Sequence, residues 1–240
     1  LTNVKGFDNV RSQKSEVRSQ NEFGKELGSL RNKNLLRKLT CVGPSGNANI
    51  KIKGQVYTNF SSNNYLGLSN HPEIVRAAAA ALKKYGFGSG ASRLLSGTCP
   101  PHAELEERIA KFKKTKAALV FNTGYAANTG IIPVVAGADT VIFSDELNHA
   151  SIVDGTRLSK SNIKVYRHRN VNHLGSLLNK SLNRKSARRR LVITDTVFSM
   201  DGDIAPLKDL AYLCERYGAI LMIDDAHGTG VMGPHGRGTA

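Results

Sequence analysis

The sequence predicts an α/β fold built on a mostly parallel sheet with helices on both faces. From residue 115 onward, short apolar segments rich in Val and Ile alternate with helical segments. Strands are predicted at Ala117–Phe121, Thr140–Phe143, Ile163–Tyr166, Leu191–Thr194 and Ala219–Ile223. Helices between them include Ala126–Val135 and Leu207–Tyr217. A chain of 240 residues, 40% of them hydrophobic, can bury a core of this kind.

The chain before this pattern is organised differently. Residues 1–40 are polar, mixed in charge and only weakly helical, whereas Ile50–Phe60 alternates in a way that predicts a short hairpin. Two helices are predicted next, at His71–Leu82 and His102–Lys113. We therefore expect an N-terminal arm with a hairpin in residues 1–60 and one large domain in residues 61–240.

The charge balance alone would suit a nucleic-acid-binding protein, because the 34 Lys and Arg residues exceed the 19 Asp and Glu residues. The excess lies in the first forty residues and in Lys180–Arg190, and no aromatic residues interleave with that basic run. We therefore interpret residues 184–190 as a solvated surface segment and expect no nucleic-acid partner. A basic surface would still steer an anionic substrate such as a coenzyme A thioester.

Cysteine usage and hydropathy indicate the compartment. The three cysteines are far apart and show neither metal-ligand spacing nor a disulfide framework, which is typical of a reducing environment. No apolar run reaches the roughly 18 residues that span a bilayer, and four acidic residues among the first forty argue against an organelle transit peptide. We expect a cytoplasmic protein without membrane attachment.

Ligands of parallel α/β sheets bind beyond the carboxyl ends of the strands. Four polar segments follow predicted strands there: Asn122–Tyr125, Asp145–His149, Thr196–Asp201 and Asp224–His227. The first also opens a helix, so its backbone N–H groups and the helix dipole suit a phosphate, and Gly124 permits close approach. A plain helix cap explains the same residues, so both interpretations stay open.

The other strand-end side chains are ambiguous in the same way. Burial of two adjacent carboxylates at the end of a strand costs free energy unless a cation or a metal ion pairs with them. Asp224 could bind a metal together with His227, could hold a proton on a heteroaromatic nitrogen, or could cap a turn. His149 could be a helix cap or a surface residue. Ser199 lies in a loop in which Gly202 predicts a turn. Each signal is weak alone, and their combination is informative.

Seven motifs occur in order between residues 61 and 238, and four of them contain the strand-end residues named above. They are SSNNYLGLS (61–69), GFGSGASRLLSGT (86–98), HAELEERIA (102–110), NTGYAAN (122–128), LNHASIVDG (147–155), TDTVFSMDGDIAPL (194–207) and DDAHGTGVMGPHGRG (224–238). The chain resembles the α-oxoamine synthases, which use pyridoxal 5′-phosphate (PLP) and have the transferase fold type I. The resemblance extends from about Leu30 to Ala240.

The resemblance implies a role for each strand-end residue. Asp224 matches the aspartate that pairs with the ring nitrogen of PLP. His227 and Ser199 match groups near the phenolic oxygen of the ring, and His149 matches the histidine stacked on its face, where it also reaches the substrate carboxylate. His149, Asp224 and His227 are therefore the expected catalytic residues. No metal is implied.

Further residues match cofactor and substrate contacts. Gly124 and Tyr125 match the backbone amides that hold the phosphate, while Asn63 and Arg37 resemble positions that contact substrate carboxylates. The implied reaction is a decarboxylating condensation of L-alanine with an acyl thioester, carried by coenzyme A or by a carrier protein. A homodimer with a shared active site is implied as well.

Two alternatives stay open within the resemblance. One is a glycine C-acetyltransferase, although such enzymes more often read DDSHAVG where this chain reads DDAHGTG. The other is a non-catalytic subunit of an active homologue. In the family the Schiff-base lysine lies a few tens of residues beyond the DDAH motif. We therefore expect it past Ala240, with the last strands and the C-terminal domain, and we expect residues 1–240 alone to fold poorly and to be inactive.

Overall fold

The computed structural model describes residues 22–43, 48–182 and 188–239. The chain divides into two compact units, Leu1–Ser61 and Ser62–Ala240, which are described separately. The residues outside the described ranges include residues 1–21 of the N-terminal arm. They also include residues 183–187 of the basic run, so its predicted surface position lies largely outside the described residues.

The first unit contains a helix and a hairpin. Helix α1 covers residues 22–32. Strands β1 (Asn49–Ile52) and β2 (Gln55–Thr58) pair antiparallel, with Ile50 opposite Tyr57. The two turn residues, Lys53 and Gly54, both have positive φ (48° and 88°), as a two-residue hairpin turn requires. The predicted hairpin is therefore present.

The second unit is built on a parallel sheet. Among the described residues its strands are β3 (Thr140–Asp145), β4 (Asn162–Tyr166), β5 (Arg189–Asp195) and β6 (Ile220–Asp224), in the order β4-β3-β5-β6. The helices are α2 (Pro72–Tyr85), α3 (Pro100–Lys113), α4 (Gly124–Val135), α5 (Ala150–Leu158), α6 (Val171–Leu182) and α7 (Leu207–Tyr217). No described helix is long and apolar enough to cross a membrane.

Side chains of the central strands alternate between two buried clusters, because successive residues of a strand point to opposite faces. On one face Val141 and Phe143 of β3 pack with α6 and α7 residues such as Leu174 and Leu210. On the other face Ile142 packs with apolar residues of α4 and α5. Helices thus cover both faces of the sheet, and the predicted fold class is confirmed.

The predicted strand at Ala117–Phe121 is wrong. No described strand pairs with this segment, and Leu119 is 67% exposed. Its backbone is bound by side chains instead: the N–H of Val120 donates to Oε1 of Glu106 (2.9 Å), and its carbonyl accepts from Arg93 (3.4 Å). A short apolar run predicts burial but cannot show whether a neighbouring strand is available to form a ladder.

Helices α4 and α5 approach closely at one glycine. A Cβ added to Gly155 would lie 2.8 Å from the carbonyl oxygen of Asn128 and 2.8 Å from Cδ1 of Ile132. Such distances are shorter than van der Waals contact, so only glycine lets the helices come this near. This approach brings the first turns of α4 and α5 together at the carboxyl edge of the sheet.

Candidate active site

Among the described residues, carboxylates end three of the four strands of the parallel sheet, all at the carboxyl ends of the strands. These are Asp145 on β3, Asp195 on β5 and Asp224 on β6. Asp195 and Asp224 are direct neighbours in the register of β5 and β6. A cationic group at this edge would therefore be attracted by more than one negative charge.

The Asp224 carboxylate is held in a fixed orientation. Its Oδ2 accepts a hydrogen bond from Nδ2 of Asn128 (2.8 Å), and its Oδ1 accepts one from the N–H of Ala226 (3.0 Å). Asn128 is buried on α4, so it can orient Asp224 without competition from water. The side chain thus stays half-buried at the strand end with its position determined by two donors.

A chain of hydrogen bonds joins Asp224 to His149. Asn128 also donates from Nδ2 to Oγ of Ser151 (2.9 Å), and that hydroxyl lies 2.7 Å from Nδ1 of His149. The N–H of Ser151 donates to the same Nδ1 (3.2 Å), so His149 caps α5. Because Nδ1 accepts, the ring proton lies on Nε2, which is directed away from this chain of bonds.

Asp195 is joined to this arrangement through the backbone of His149. Its Oδ2 accepts the N–H of His149 (2.7 Å), and its own N–H donates to Oδ1 of Asn148 (2.9 Å). Burial raises the pKa of Asp195 to about 6, the hydrogen bond from His149 opposes that rise, and the charge of Asp224 adds to it. The donors that bind Asp195 and Asp224 in these hydrogen bonds carry no charge.

His227, three residues after Asp224, lines an open cleft of about 370 Å³. Its Nδ1 is 2.6 Å from the hydroxyl of Tyr65, and that hydroxyl also lies 3.4 Å from Oδ1 of Asn63. The structure thus places Asn63 and His227 on the same cleft. Tyr65 connects them, and it was not among the predicted site residues.

The N-terminus of α4 matches the predicted phosphate position in its local geometry. Oγ1 of Thr123 caps the helix by accepting the N–H of Ala126 (2.9 Å). A Cβ added to Gly124 would contact nothing within 4 Å, so the space beside the helix end is open. The hydroxyl of Tyr125 donates to Oδ2 of Asp154 (2.9 Å), a bond that raises the pKa of that phenol.

Ser199 is exposed in the turn that follows β5. The N–H of Gly202 donates to the carbonyl of Phe198 (2.7 Å), and Val197 bridges to Ile204 at the base of the loop. Gly202 has φ of 73°, which explains the glycine at this position. Arg37 belongs to the first unit, so its predicted role in this site stays a prediction.

The carboxylate of Asp225, unlike that of Asp224, has a structural role. Its carboxylate accepts hydrogen bonds from Nζ of Lys113 (2.9 Å) and from the hydroxyls of Thr196, Thr229 and Thr239 (2.7, 2.8 and 2.6 Å). These bonds connect the segment after β6 to the end of α3 and to β5. The metal interpretation of Asp224 with His227 gains no third ligand, because the described residues contain no metal-binding group of three.

Sequence reasoning did not assign four residues of this site: Asn128, Ser151, Asp195 and Tyr65. Asn128 lies four residues after Gly124, which places both on one face of α4, and this spacing was a usable signal. Asp195 ends a strand in the same way as Asp224. Ser151 and Tyr65 carried no such signal, since only tertiary packing brings them to His149 and His227.

A parallel sheet with an oriented aspartate, a histidine and a helix N-terminus at its carboxyl edge has the parts that a phosphorylated pyridine cofactor needs. The chain belongs to the family described as aminotransferase class I and II, whose model matches residues 55–239. Within that family it is similar to proteins named 8-amino-7-oxononanoate synthase, for example one from Geobacter sulfurreducens. That protein is 54% identical over 215 residues, which are 90% of this chain and 54% of the relative.

Solved structures give the same result. Serine palmitoyltransferase from S. paucimobilis with bound PLP has a TM-score of 0.81 at 33% identity, covering 92% of this chain and 56% of that one. 8-Amino-7-oxononanoate synthase from Francisella tularensis has a TM-score of 0.62 at 30% identity, covering 75% and 48%. The resemblance to α-oxoamine synthases, the fold type and PLP as the cofactor are confirmed. The chain spans about half the length of the curated relatives it matches.

The residues present fit PLP. The open space beside Gly124 at the start of α4 suits a phosphate, because helix N-terminal N–H groups and the helix dipole favour an anion. The fixed carboxylate of Asp224, next to Asp195, suits a protonated ring nitrogen. The donor set at this edge is therefore complementary to a molecule that carries an anion at one end and a cation at the other.

Proposed function

We propose that the full-length protein condenses L-alanine with pimeloyl-CoA or pimeloyl-carrier protein, with loss of carbon dioxide, to give 8-amino-7-oxononanoate for biotin synthesis. The observation that carries the proposal is the chain of hydrogen bonds from Asp224 through Asn128 and Ser151 to His149. It orients a carboxylate and an imidazole that the resemblance assigns to cofactor contacts. The names of relatives about half identical to this chain support the choice of product.

When bound, PLP supplies an electron sink for the negative charge that develops at the substrate α-carbon. Asp224 would hold a proton on the ring nitrogen, because a nearby carboxylate favours the charged form of a base. Asn128 fixes that carboxylate, so the interaction needs little reorganisation. Gly124 and Tyr125 would bind the phosphate through the N-terminus of α4.

The remaining residues would orient the substrate. His149, with its ring proton on Nε2, would lie on the face of the cofactor ring and donate to the substrate carboxylate. His227 and Ser199 would contact the phenolic side of the ring, and Asn63 lies on the cleft next to His227. Arg37 would bind a substrate carboxylate from the N-terminal arm. In this proposal residues 61–240 form the cofactor domain.

We further propose that the enzyme works in the cytoplasm as a homodimer. The apolar surface of the second unit supports a partner, because large side chains are almost fully exposed there. They are Phe87, Leu94 and Leu95, with exposures of 99%, 97% and 84%. Large apolar side chains with so much exposed surface support a partner that covers them.

The proposal is tested on full-length protein by absorption during PLP titration and by product formation from L-alanine and pimeloyl-CoA. Glycine and acetyl-CoA serve as the competing pair. Asp224→Asn keeps the size of the side chain but removes its charge, so we expect turnover to fall about a hundredfold or more. Asp209→Asn, on the exposed first turn of α7, is the matched control. Wild-type protein that gains no PLP absorption band would contradict the proposal.

The same assay separates the alternatives. Faster turnover with glycine and acetyl-CoA would favour a glycine C-acetyltransferase. A full-length sequence without a Thr-x-x-Lys segment after residue 240 would favour the non-catalytic subunit. Against the subunit stands the hydrogen-bonded arrangement of Asp224 and His149, since a scaffold needs no oriented carboxylate at an open strand end.

A further inference from the structure

His168 lies between two carboxylates just after β4. Its Nδ1 is 2.9 Å from Oδ1 of Asp145, and its Nε2 is 2.9 Å from Oδ2 of Asp203. The side chain is mostly buried, with 19% of its surface exposed, and its ring packs edge-on against Phe198 at 4.4 Å between centroids. None of the roles above uses this histidine.

The geometry requires a positively charged ring. A neutral imidazole has one donor and one acceptor nitrogen, so one of its nitrogens would face a carboxylate with a lone pair. An imidazolium donates to both carboxylates. Burial of the ring opposes the charge, but the hydrogen bonds to Asp145 and Asp203 outweigh it and raise the pKa of His168 above its usual value.

The two carboxylates belong to two different loops of the active-site edge. Asp145 accepts the N–H of Leu147 (3.0 Å) and so shapes the turn that leads to His149. The carbonyl of Asp203 accepts the N–H of Phe198 (3.0 Å), which closes the loop that contains Ser199. His168 therefore connects the loop before His149 to the loop of Ser199.

We propose that His168 is a positioning residue, whose imidazolium holds residues 197–204 against the end of β3 and thereby sets Ser199 relative to His149 for cofactor binding. The proposal rests on the proposed function, because only there do Ser199 and His149 contact PLP. It predicts that cofactor affinity falls when His168 loses its proton.

Other charged groups around the ring agree with this. Oε1 of Glu146 accepts the backbone N–H of His168 (2.7 Å), and the backbone N–H of Arg169 donates to Oδ2 of Asp145 (2.9 Å). The guanidinium of Arg169 donates to Oδ2 of Asp203 (2.8 Å). Asp203 thus faces both the imidazolium of His168 and the guanidinium of Arg169, Asp145 faces the imidazolium, and Glu146 holds the backbone of His168. Because the folded pKa of His168 is raised, the connection is complete below about pH 6.5 and is lost as pH rises through the folded value.

The connection itself is tested on full-length protein without PLP. Histidine resonances are followed by NMR from pH 5.5 to 9, with His168→Gln to assign the signal, and amide protection of residues 197–204 is measured at each pH. We expect His168 to titrate above the ordinary value and protection of the loop to decrease with the same midpoint. His71→Gln is the control, because that exposed side chain makes no cap hydrogen bond.

Cofactor affinity is then measured by PLP titration at the same pH values, and each variant is compared with wild type at equal pH so that ionisation of PLP cancels. We expect His168→Gln to weaken affinity about tenfold at pH 6 and to equal wild type near pH 9. Asp203→Asn should act in the same direction. Unchanged loop protection and unchanged affinity in His168→Gln would overturn the proposal. Absence of PLP binding by wild type would overturn the proposed function, while the protection data would still judge the role of His168.

Discussion

Adjacent residues Asp224 and Asp225 lie in regions of opposite character. Asp224 belongs to the cofactor region, which we define as Asp224, Asp195, Asn128 and His149. There, burial of Asp195 and the negative charge of Asp224 raise the pKa of Asp195 to about 6. Asp225 faces an anchor region, where hydrogen bonds from Thr239, Thr196 and Lys113 outweigh burial and lower its pKa to about 2. Asp224 and Asp195, the carboxylates of the cofactor region, leave negative charge available for a cation. In the anchor region, by contrast, the carboxylate of Asp225 is already paired with the ammonium of Lys113.

The largest expected effect separates function from stability. Asp224→Ala should lower kcat of the full-length enzyme by at least about a hundredfold, because the ring proton loses its partner. Its melting temperature should fall less than that of Asp225→Ala, since relief of the repulsion with Asp195 offsets the loss of the hydrogen bonds from Asn128 and Ala226. Steady-state kinetics and thermal unfolding of the protein without cofactor check both statements. Normal turnover in this variant would remove the basis of the functional assignment.

The converse is expected at the next residue. Asp225→Ala should lower the free energy of unfolding by about 2–3 kcal/mol, because it leaves the half-buried ammonium of Lys113 without its carboxylate. Any PLP affinity of the folded fraction should stay near that of wild type. Denaturant unfolding measures the loss, and an unchanged midpoint would show that the anchor region does not hold the segment after β6.

A smaller effect is expected where the cofactor region depends on helix packing. Gly155→Ala should cost about 1–2 kcal/mol, since its Cβ would force α4 and α5 apart, and it should weaken PLP affinity by displacing Asn128. Gly175→Ala on α6 is the control, because its Cβ would meet Leu213 at an ordinary 3.8 Å. Equal stability of the two variants would contradict the close approach.

The smallest effect is the pH dependence of unfolding, and its sign differs between the regions. The folded pKa of Asp195 is raised from 3.8, so stability should decrease as pH rises from about 4 to about 6. The folded pKa of Asp225 is lowered, so stability should increase from about pH 2 to about 4. Asp195→Asn should flatten the first slope and Asp225→Asn the second in denaturant titrations. A slope that survives its own substitution would assign it to another group.

Much of the fold was predictable because short apolar runs alternate along the sequence with helical segments, and the central strands that they form are buried on both faces. Val and Ile runs located β3 to β6 within two residues, and α7 begins and ends where it was predicted. The prediction at Ala117–Phe121 failed because apolar residues carry no information on whether a strand is available to pair, and Leu119 of this segment is exposed. Charged strand-end residues such as Asp224 were also visible, whereas only tertiary packing brings the hydroxyls of Ser151 and Tyr65 to His149 and His227.

The outer side of β6 has one further consequence. Among the described residues β6 pairs only with β5, so its other row of backbone donors and acceptors is free to accept one more strand. A parallel newcomer would bring the side chains at its own carboxyl end next to Asp224. A strand added beside β6 would therefore place its own side chains at the active site, and the residues already there would keep their positions.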